Sequence, residues 1–173
     1  TAYTGQPIEL AQGGTVTAWY KDQPEIQVTM TFPKIETVAT EVIYASSEEG
    51  GSAKYLTDGD PTTMWHTMYS VTVAQYPHWV DLDAGEAKLI KGFTYLPRQE
   101  GSNGDIKEYR IYVSNDGKEW GEPIHSGSFA RSKDLQKVLF NQPVKARYFR
   151  FMALSAQNGQ DYASGAELGI LAE

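Results

Sequence analysis

The stretch Tyr109-Arg-Ile-Tyr-Val-Ser-Asn-Asp-Gly117 has the clearest secondary-structure pattern in this chain. Apolar and polar side chains alternate over its first six residues, and a period of two places every second side chain on one face of a β-strand. Asn115-Asp-Gly117 follows, and its glycine can adopt the positive φ that a hairpin turn needs. The stretch therefore predicts a strand and a turn, with apolar side chains facing a core and Arg110 facing solvent.

Similar stretches along the chain predict an all-β protein. Arg147-Tyr-Phe-Arg-Phe-Met152 repeats the alternation, again with its arginines on the solvent side. The 16 glycines and 8 prolines are spread along the sequence and leave no long helical window. This spacing favours a sandwich or a barrel. The predicted strands are Gly14–Tyr20, Ile26–Phe32, Thr40–Ser46, His78–Asp83, Leu89–Leu96, Ile106–Ser114, Gln136–Phe140 and Ala146–Ala153.

The composition excludes several kinds of partner and site. The 173 residues include 15 Lys and Arg against 22 Asp and Glu, a formal charge of −7, which disfavours nucleic acid and anionic membranes as partners. No run approaches the roughly 18 consecutive apolar residues of a membrane span, and the polar start lacks the regions of a signal peptide. Because cysteine is absent, disulfides, thiolate metal sites and cysteine nucleophiles are excluded.

The chain is predicted to contain two parts. Residues 1–36 have their own short strands and turns, whereas the most informative motifs lie in residues 37–173. A piece of about three dozen residues can hardly bury a core alone. We therefore expect residues 1–36 to pack on the main body or to be the tail of a preceding small β domain with a linker.

The segment Ala53-Lys-Tyr-Leu-Thr-Asp-Gly-Asp-Pro-Thr-Thr-Met-Trp-His-Thr67 has the composition of a cation site. Asp58 and Asp60 flank a glycine, Pro61 fixes the next bend, and hydroxyl groups follow, so carboxylates and carbonyls can converge on one point. Calcium takes about 6–8 oxygen ligands in flexible geometry. The segment fits equally well an alternative in which these residues only form a turn.

Six motifs follow one another in the chain: Leu56-Thr-Asp-Gly-Asp-Pro-Thr-Thr-Met-Trp-His-Thr67, His78-Trp-Val-Asp-Leu82, Tyr95-Leu-Pro-Arg-Gln99, Tyr112-Val-Ser-Asn-Asp-Gly117, Ala146-Arg-Tyr-Phe-Arg150 and Ala163-Ser-Gly-Ala-Glu-Leu168. Together they resemble the coagulation factor V/VIII type C (discoidin-like) domain over about residues 40–173. Within that superfamily the chain is most similar to family 32 carbohydrate-binding modules of bacterial glycoside hydrolases. The resemblance implies a β-sandwich jelly roll, the galactose-binding-like discoidin fold, with a structural calcium and ligand-binding loops at one end.

The resemblance implies a particular calcium site. Its ligands are expected to be the carbonyls of Tyr55, Asp60, Thr63 and Ala166, the Thr63 hydroxyl, and the carboxylates of Asp58 and Glu167. A cation held by these groups would tie the Asp58 loop to the C-terminal strand without a disulfide. Bound calcium would stabilise the fold by about 2.7 kcal/mol at a hundredfold excess over its dissociation constant.

The resemblance also implies a sugar site formed by His66, Tyr69, Arg98, Asn103 and Tyr162. A guanidinium fork, an amide and an imidazole can meet hydroxyls on adjacent carbons, and an aromatic face can cover the C–H patch of the ring. We expect weak binding, with a Kd of roughly 0.1–1 mM.

Two of these residues also have a structural explanation. His66 could be a hydrogen-bonded structural histidine. Arg98 could pair with Glu100 or Asp105 on the surface, an interaction that contributes only about 0–1 kcal/mol. The sequence leaves both alternatives open.

The chain is not expected to be an enzyme. A glycosidase needs two carboxylates about 5–9.5 Å apart across a cleft, and the obvious pair, Asp58 and Asp60, is assigned to a cation. There is no Gly-x-Ser-x-Gly elbow for a serine nucleophile. His66, His78 and His125 lack the paired spacing of zinc ligands.

The resulting prediction is a noncatalytic carbohydrate-binding module that binds terminal galactose, GalNAc or GlcNAc residues of glycans. Tyr3–Tyr20 resembles the last hairpin of the small β domain after the catalytic domain of chitobiase and β-hexosaminidase chains. The module is thus expected in the C-terminal part of a secreted, periplasmic or cell-surface bacterial glycoside hydrolase, with the catalytic domain in cis.

The alternative is a discoidin-type adhesion module for a protein or cell-surface partner. Site residues that converge on a concave spot favour sugar, and a flat or apolar end favours the alternative.

Overall fold

The computed structural model of the protein describes residues 14–32 and 35–173, in which strands dominate and the one helix is the short 3₁₀ helix Ala53–Thr57. No described helix is long and apolar enough to cross a membrane. The all-β prediction is confirmed. The strands are β1 Gly14–Tyr20, β2 Gln23–Phe32, β3 Glu36–Val38, β4 Glu41–Ala45, β5 Trp65–His66, β6 His78–Leu96, β7 Glu108–Ser114, β8 His125–Ser128, β9 Gln136–Ala153, β10 Ser164–Gly165 and β11 Glu167–Ala172.

The chain divides into two compact units. The smaller unit contains the antiparallel hairpin of β1 and β2, in which Val16 lies opposite Met30, and the larger unit spans Thr37–Ala172. Both strands of the hairpin were predicted. The assignment of residues 1–36 to the tail of a preceding domain stays a prediction, and residues 3–13 of the segment that suggested it lie outside the described residues.

The larger unit is organised by two long strands, β6 and β9. Seven strands form one sheet in the order β3-β11-β6-β9-β7-β8, with β4 also paired to β6. The sequence predicted two strands in place of β6 and two in place of β9, so these boundaries were wrong. The turn residue Gly85, with φ +76°, lies inside β6 at a register shift between Asp83 and Lys88. A bulge of this kind bends a strand without ending it.

The two halves of the long strands face each other across an aromatic core. Phe93, in the second half of β6, has its ring centroid 5.8 Å from those of Phe149 and Phe151. The β9 segment with these two phenylalanines pairs instead with the first half of β6. Contact between them therefore shows two layers packed face to face, which is the predicted sandwich. Tilted aromatic pairs add about 0.5–1.5 kcal/mol each beyond the area that they bury.

The expectation that the arginines of the alternating strands face solvent is wrong for Arg150. Its side chain is only 20% exposed and donates two hydrogen bonds to the Asp81 carboxylate, at 2.6 and 2.8 Å. The guanidinium carbon also lies 4.2 Å from the ring centroid of Trp120 and 5.5 Å from that of Trp79. The register of β6 and β9 places Asp81 opposite Arg150, so a planar fork meets a carboxylate beneath two indoles.

The short pair β5 and β10 positions the functional residues. Its two registered contacts join Trp65 to Gly165 and His66 to Ser164. Trp65 is 1% exposed and donates from Nε1 to the Ser47 carbonyl at 2.9 Å, which anchors β5 in the core. A Cβ at Gly165 would lie 2.9 Å from the Tyr95 ring, so this close packing requires glycine.

Candidate functional site

All five residues predicted for the sugar site line one pocket of about 260 Å³. They come from β5 and from three loops that are distant in sequence, and the fold brings them to one concave place. Their roles as sugar ligands stay predictions. The complete lining is Glu49, Gly50, Met64, His66, Tyr69, Arg98, Asn103 and Tyr162.

Three rings form an aromatic cluster in this pocket. The ring centroid of His66 lies 4.9 Å from that of Tyr69 and 5.5 Å from that of Tyr162. The two tyrosine rings are 6.4 Å apart at an interplanar angle of 79°. Tyr69 is 43% exposed, so part of its ring is available to a ligand. Such a ring can pack against the C–H groups of a sugar while polar groups beside it meet the hydroxyls.

His66 is a buried, neutral histidine at the pocket wall. A ring nitrogen, Nδ1, lies 2.7 Å from the Thr67 carbonyl, and a carbonyl only accepts, so Nδ1 carries the proton. Burial lowers the pKa of His66 and nearby Arg98 lowers it further, against the opposing effects of the Thr67 carbonyl and Glu49. The ring is therefore neutral near pH 7, and Nε2 can accept a hydrogen bond. His66 is both hydrogen-bonded to the backbone and part of the pocket lining.

Arg98 and Asn103 lie on the loop between β6 and β7. Arg98 donates from Nε to the Glu100 carbonyl at 2.6 Å and from Nη1 to the Asn103 carbonyl at 3.4 Å. The alternative of a surface ion pair with Glu100 or Asp105 is wrong, because Asp105 pairs with Lys133 at 2.7 Å and Glu100 accepts through its backbone. The Nη2 group of Arg98 makes no hydrogen bond within the described residues, so this part of the guanidinium can donate to a ligand.

Glu49 is the carboxylate of the pocket, and it was not among the residues predicted for the site. It accepts from the backbone N–H groups of Tyr69 at 2.8 Å and Ser70 at 3.0 Å, and from the Ser70 hydroxyl. The Ser70 hydroxyl contributes most to lowering the pKa of Glu49, followed by the two amides, so the carboxylate is ionised at neutral pH. Glu49 thus fixes the loop that presents Tyr69.

The run Glu48-Glu49-Gly50-Gly51 contained a signal for this residue. Paired glycines mark a backbone that approaches another element closely. A Cβ at Gly51 would lie 2.1 Å from the Met64 carbonyl oxygen, and one at Gly50 would lie 2.8 Å from the Tyr69 hydroxyl. The carboxylate immediately before two such glycines is held against the elements that they approach.

The residues predicted to hold calcium surround the end of the 3₁₀ helix. The two carboxylate oxygens of Asp58 accept from the Asp60 N–H and from the Thr63 hydroxyl, both at 2.9 Å. That hydroxyl also lies 3.0 Å from the Asp60 carbonyl, and the Asp58 N–H donates to the Tyr55 carbonyl at 3.4 Å. Several of the expected oxygen ligands are therefore gathered in one loop.

Glu167, the first residue of β11, interacts with Asp58 and Asp60 of this loop. A simple turn at Asp58 does not account for the surroundings of Glu167. Its Oε1 atom is buried without a hydrogen-bond partner in the described part of the chain. Burial, and then the nearby carboxylates of Asp58 and Asp60, raise the pKa of Glu167 to about 7, against the lowering effect of the Gly59 N–H. Carboxylates that face each other without a cation fit an oxygen-ligated metal ion.

The candidate cation site is made mainly of carbonyl groups. Within residues 14–32 and 35–173, no cluster of three or more His, Cys, Asp or Glu side chains has the geometry of a metal site. The expected ligand set contains only two carboxylates. Ala166 donates its N–H to the Leu96 carbonyl at 2.8 Å, which fixes the backbone beside Glu167.

Solved structures with the same fold include carbohydrate-binding modules. CpGH89CBM32-5 from Clostridium perfringens, in complex with GalNAc-β-1,3-galactose, has a TM-score of 0.71 and 33% identity, covering 78% of this chain and 99% of that one. The family 32 CBM from C. perfringens NanJ, in complex with galactose, has a TM-score of 0.66 and 28% identity, covering 76% and 98%. The C-terminal domain of a chitobiase from Bacteroides fragilis has a TM-score of 0.70 and 25% identity, covering 81% and 98%.

Curated relatives are much longer proteins. The chain is 41% identical over 127 residues to a sialidase from Micromonospora viridifaciens, which is 72% of this chain and 19% of that protein. It is 36% identical over 128 residues to a galactose oxidase from Gibberella zeae, which is 72% of this chain and 18% of that protein. The chain therefore spans about a fifth of the length of these relatives.

The family profile of the F5/8 type C domain matches residues 38–168, which is most of the chain. The matched range contains every residue of the pocket and all of the candidate calcium ligands. It also agrees with the β-sandwich and with the resemblance seen in the six sequence motifs. The chain belongs to the F5/8 type C domain family.

Proposed function

We propose that this chain is a noncatalytic carbohydrate-binding module that holds the terminal galactose, GalNAc or GlcNAc residue of a glycan in the pocket. One observation carries the proposal: a neutral imidazole, a guanidinium edge, an amide side chain and a partly exposed aromatic ring converge on one concave place. Site residues that converge on a concave spot favour a sugar, whereas a flat or apolar end of the domain would favour a protein partner.

The charges of the pocket select an uncharged ligand. The ionised Glu49 accepts from two backbone N–H groups and a hydroxyl, and Arg98 donates to two carbonyl groups of its own loop. Neither charge therefore needs a counter-ion from the ligand. A polyhydroxylated neutral molecule can accept from the remaining guanidinium edge and donate to Nε2 of His66.

The similar structures support this ligand class. Two of them, at 33% and 28% identity, were solved with GalNAc-β-1,3-galactose and with galactose. Their folds cover more than three quarters of this chain. Galactose, GalNAc and GlcNAc share a ring with adjacent hydroxyls and a C–H face, which is the pattern that the pocket can recognise.

The parent protein and the calcium belong to the same proposal. The module would form the C-terminal part of a secreted, periplasmic or cell-surface glycoside hydrolase, with the catalytic domain in cis, and the similarity to a chitobiase C-terminal domain supports this context. Calcium would be held by Tyr55, Asp58, Asp60, Thr63, Ala166 and Glu167. The buried, unpaired Oε1 of Glu167 supports it.

Calorimetric titration of the calcium-loaded protein tests the proposal. Galactose, GalNAc, GlcNAc, fucose and lactose are titrated side by side up to tens of millimolar. We expect saturable heat with one or more of them and a Kd of roughly 0.1–1 mM, because a shallow site must offset association costs.

The variant Arg98→Ala is the test of the site. It should weaken binding by at least about tenfold, because hydrogen bonds to charged groups contribute about 1.5–3 kcal/mol. Arg110→Ala, which removes an exposed arginine of β7 outside the pocket lining, is the matched control and should bind like the parent. Equal binding by Arg98→Ala would overturn the site. Silence across the whole panel would favour a protein partner or a longer glycan.

A further inference from the structure

Lys133 contacts the loop that carries Arg98 and Asn103, although it lies outside the pocket lining. It is in the connection between β8 and β9. Its Nζ donates to the Arg98 carbonyl at 2.8 Å, to the Gly101 carbonyl at 2.6 Å and to the Asp105 carboxylate at 2.7 Å. An ammonium group has three donors, so these contacts use all of them.

The same loop also receives the guanidinium of Arg98. That group donates to the carbonyls of Glu100 and Asn103, so four carbonyls of a six-residue stretch, those of residues 98, 100, 101 and 103, accept from two cationic heads. A strand ladder does not satisfy these carbonyls, because the loop lies between β6 and β7. The two cations therefore contribute to the conformation that presents Arg98 and Asn103, together with the Ser164 hydroxyl, which donates to the Asn103 carbonyl at 2.9 Å.

Asp105 is the acidic partner of the Lys133 ammonium. Its side chain is 9% exposed, and Oδ1 has no hydrogen-bond partner among the described residues, so the interaction of Oδ2 with Lys133 is its ion pair. The backbone at Asp105 is fixed by a bridge to Ser164 of β10. The contact thus links the loop to the pair of short strands that positions His66.

The geometry points to Lys133 as a positioning residue of the sugar site. We propose that its ammonium organises the Arg98–Asp105 loop so that the free guanidinium edge and the Asn103 amide face the pocket. Lys133 does not contact the sugar. The inference rests on the proposed function for its binding readout, and it has a second readout that requires no sugar.

The test must separate the loss of loop order from the cost of burying an unpaired charge. Lys133→Met alone leaves the Asp105 carboxylate unpaired, and an unpaired buried charge destabilises the fold by itself. The informative variant is therefore the double substitution Lys133→Met with Asp105→Asn, which removes both charges together. Asp105→Asn alone keeps the donors of Lys133 on the two carbonyls and is the partner control. Lys145→Met removes an exposed lysine of β9 and is the matched surface control.

Two measurements are made on each variant. Calorimetric titration gives the Kd for the sugar that binds the parent best, and amide hydrogen exchange reports the order of the loop. In the double variant we expect the Kd to rise at least tenfold. We also expect exchange at Ser164, whose N–H donates to the Gly104 carbonyl of the loop at 2.8 Å, to accelerate at least tenfold. Core amides such as that of Phe149 should exchange as in the parent, and both controls should stay within about threefold.

Each outcome decides the inference. A double variant with parental exchange at Ser164 overturns it, whether or not any sugar binds. A loosened loop with unchanged sugar affinity also overturns it, because the loop would then not set the site. If the parent binds no sugar in the panel, the proposed function fails, and exchange still decides whether Lys133 orders the loop.

Discussion

The pocket and the Asp58 loop both gather polar groups around the short strands β5 and β10, but they differ in how their charges are balanced. In the pocket, Glu49 and Arg98 each have backbone partners, so the ionised groups are satisfied before any ligand arrives. In the Asp58 loop, Glu167 has a buried oxygen without a partner and a pKa raised to about 7 by burial and by neighbouring carboxylates.

The two charge distributions suit two different classes of ligand. A region with satisfied charges and free neutral donors and acceptors suits an uncharged polyhydroxylated ligand that binds weakly and reversibly. A region in which two carboxylates raise the pKa of a third suits a cation that offsets their repulsion. The cation region should therefore control stability, and the pocket should control recognition.

The largest expected effect is the removal of calcium. Chelation should lower the Tm by about 5–10 °C, because calcium at a hundredfold excess over its Kd contributes about 2.7 kcal/mol. Asp58→Ala should have a low Tm that no longer responds to calcium. Asp60→Ala is the matched control, since Asp60 is expected to bind through its carbonyl, and it should retain the response. Differential scanning calorimetry makes the comparison, and a parental calcium response in Asp58→Ala would contradict the metal assignment.

Substitution of Arg98 by lysine tests whether the pocket needs a charge or a fork. Lysine keeps the positive charge but lacks the planar fork of donors. A guanidinium can donate to two carbonyls of its loop and to a sugar at the same time, and an ammonium cannot reproduce that geometry. We expect the sugar Kd to rise about tenfold while the Tm and its calcium response stay parental. Calorimetric titration and a thermal scan check both quantities. Parental affinity in this variant would show that charge alone suffices.

Truncation of Tyr69 should have a smaller effect on recognition. An aromatic face contributes on the order of 1 kcal/mol beyond area burial, so Tyr69→Ala should raise the sugar Kd about fivefold. Tyr69→Phe keeps the ring and should bind within about twofold of the parent. Equal losses in both variants would mean that the hydroxyl, and not the ring face, contacts the ligand.

The smallest expected effect is a loss of stability at acid pH caused by His66 and His78. Burial lowers the pKa of His66 and of His78, whose Nε2 donates to the Asp161 carbonyl at 2.6 Å. Below the unfolded-state value of about 6.5 the unfolded chain therefore binds more protons than the folded one, so the free energy of unfolding falls as the pH falls. The Tm of calcium-loaded protein should drop between pH 7.5 and 5.5. His78→Gln should show a smaller drop than the parent, and an equal drop would assign the acid sensitivity elsewhere.

Much of the fold could be predicted, because β-strands have a local signature. The alternation around Tyr109 and Phe149 is a property of neighbouring residues, and the fold preserved it. The merging of strands in β6 could not be predicted, since Gly85 suits a turn and a bulge equally well, and only pairing with β9 distinguishes them. Likewise the alternation of β9 predicts an exposed Arg150, and only the pairing of β9 with β6 shows that Asp81 lies opposite it.

The sequence by itself determined the alternation that builds the sandwich, the family, and the five residue types that a neutral sugar would need. Those features are local, or are motifs fixed in order along the chain. Only the tertiary structure brought Glu49 against the Tyr69 loop and Lys133 against the Arg98 loop. Such contacts join residues 20 and 35 positions apart in the sequence. Their partners are mainly backbone carbonyl and N–H groups, which nearly every residue carries, so the order of side chains along the chain does not specify which residues these contacts join.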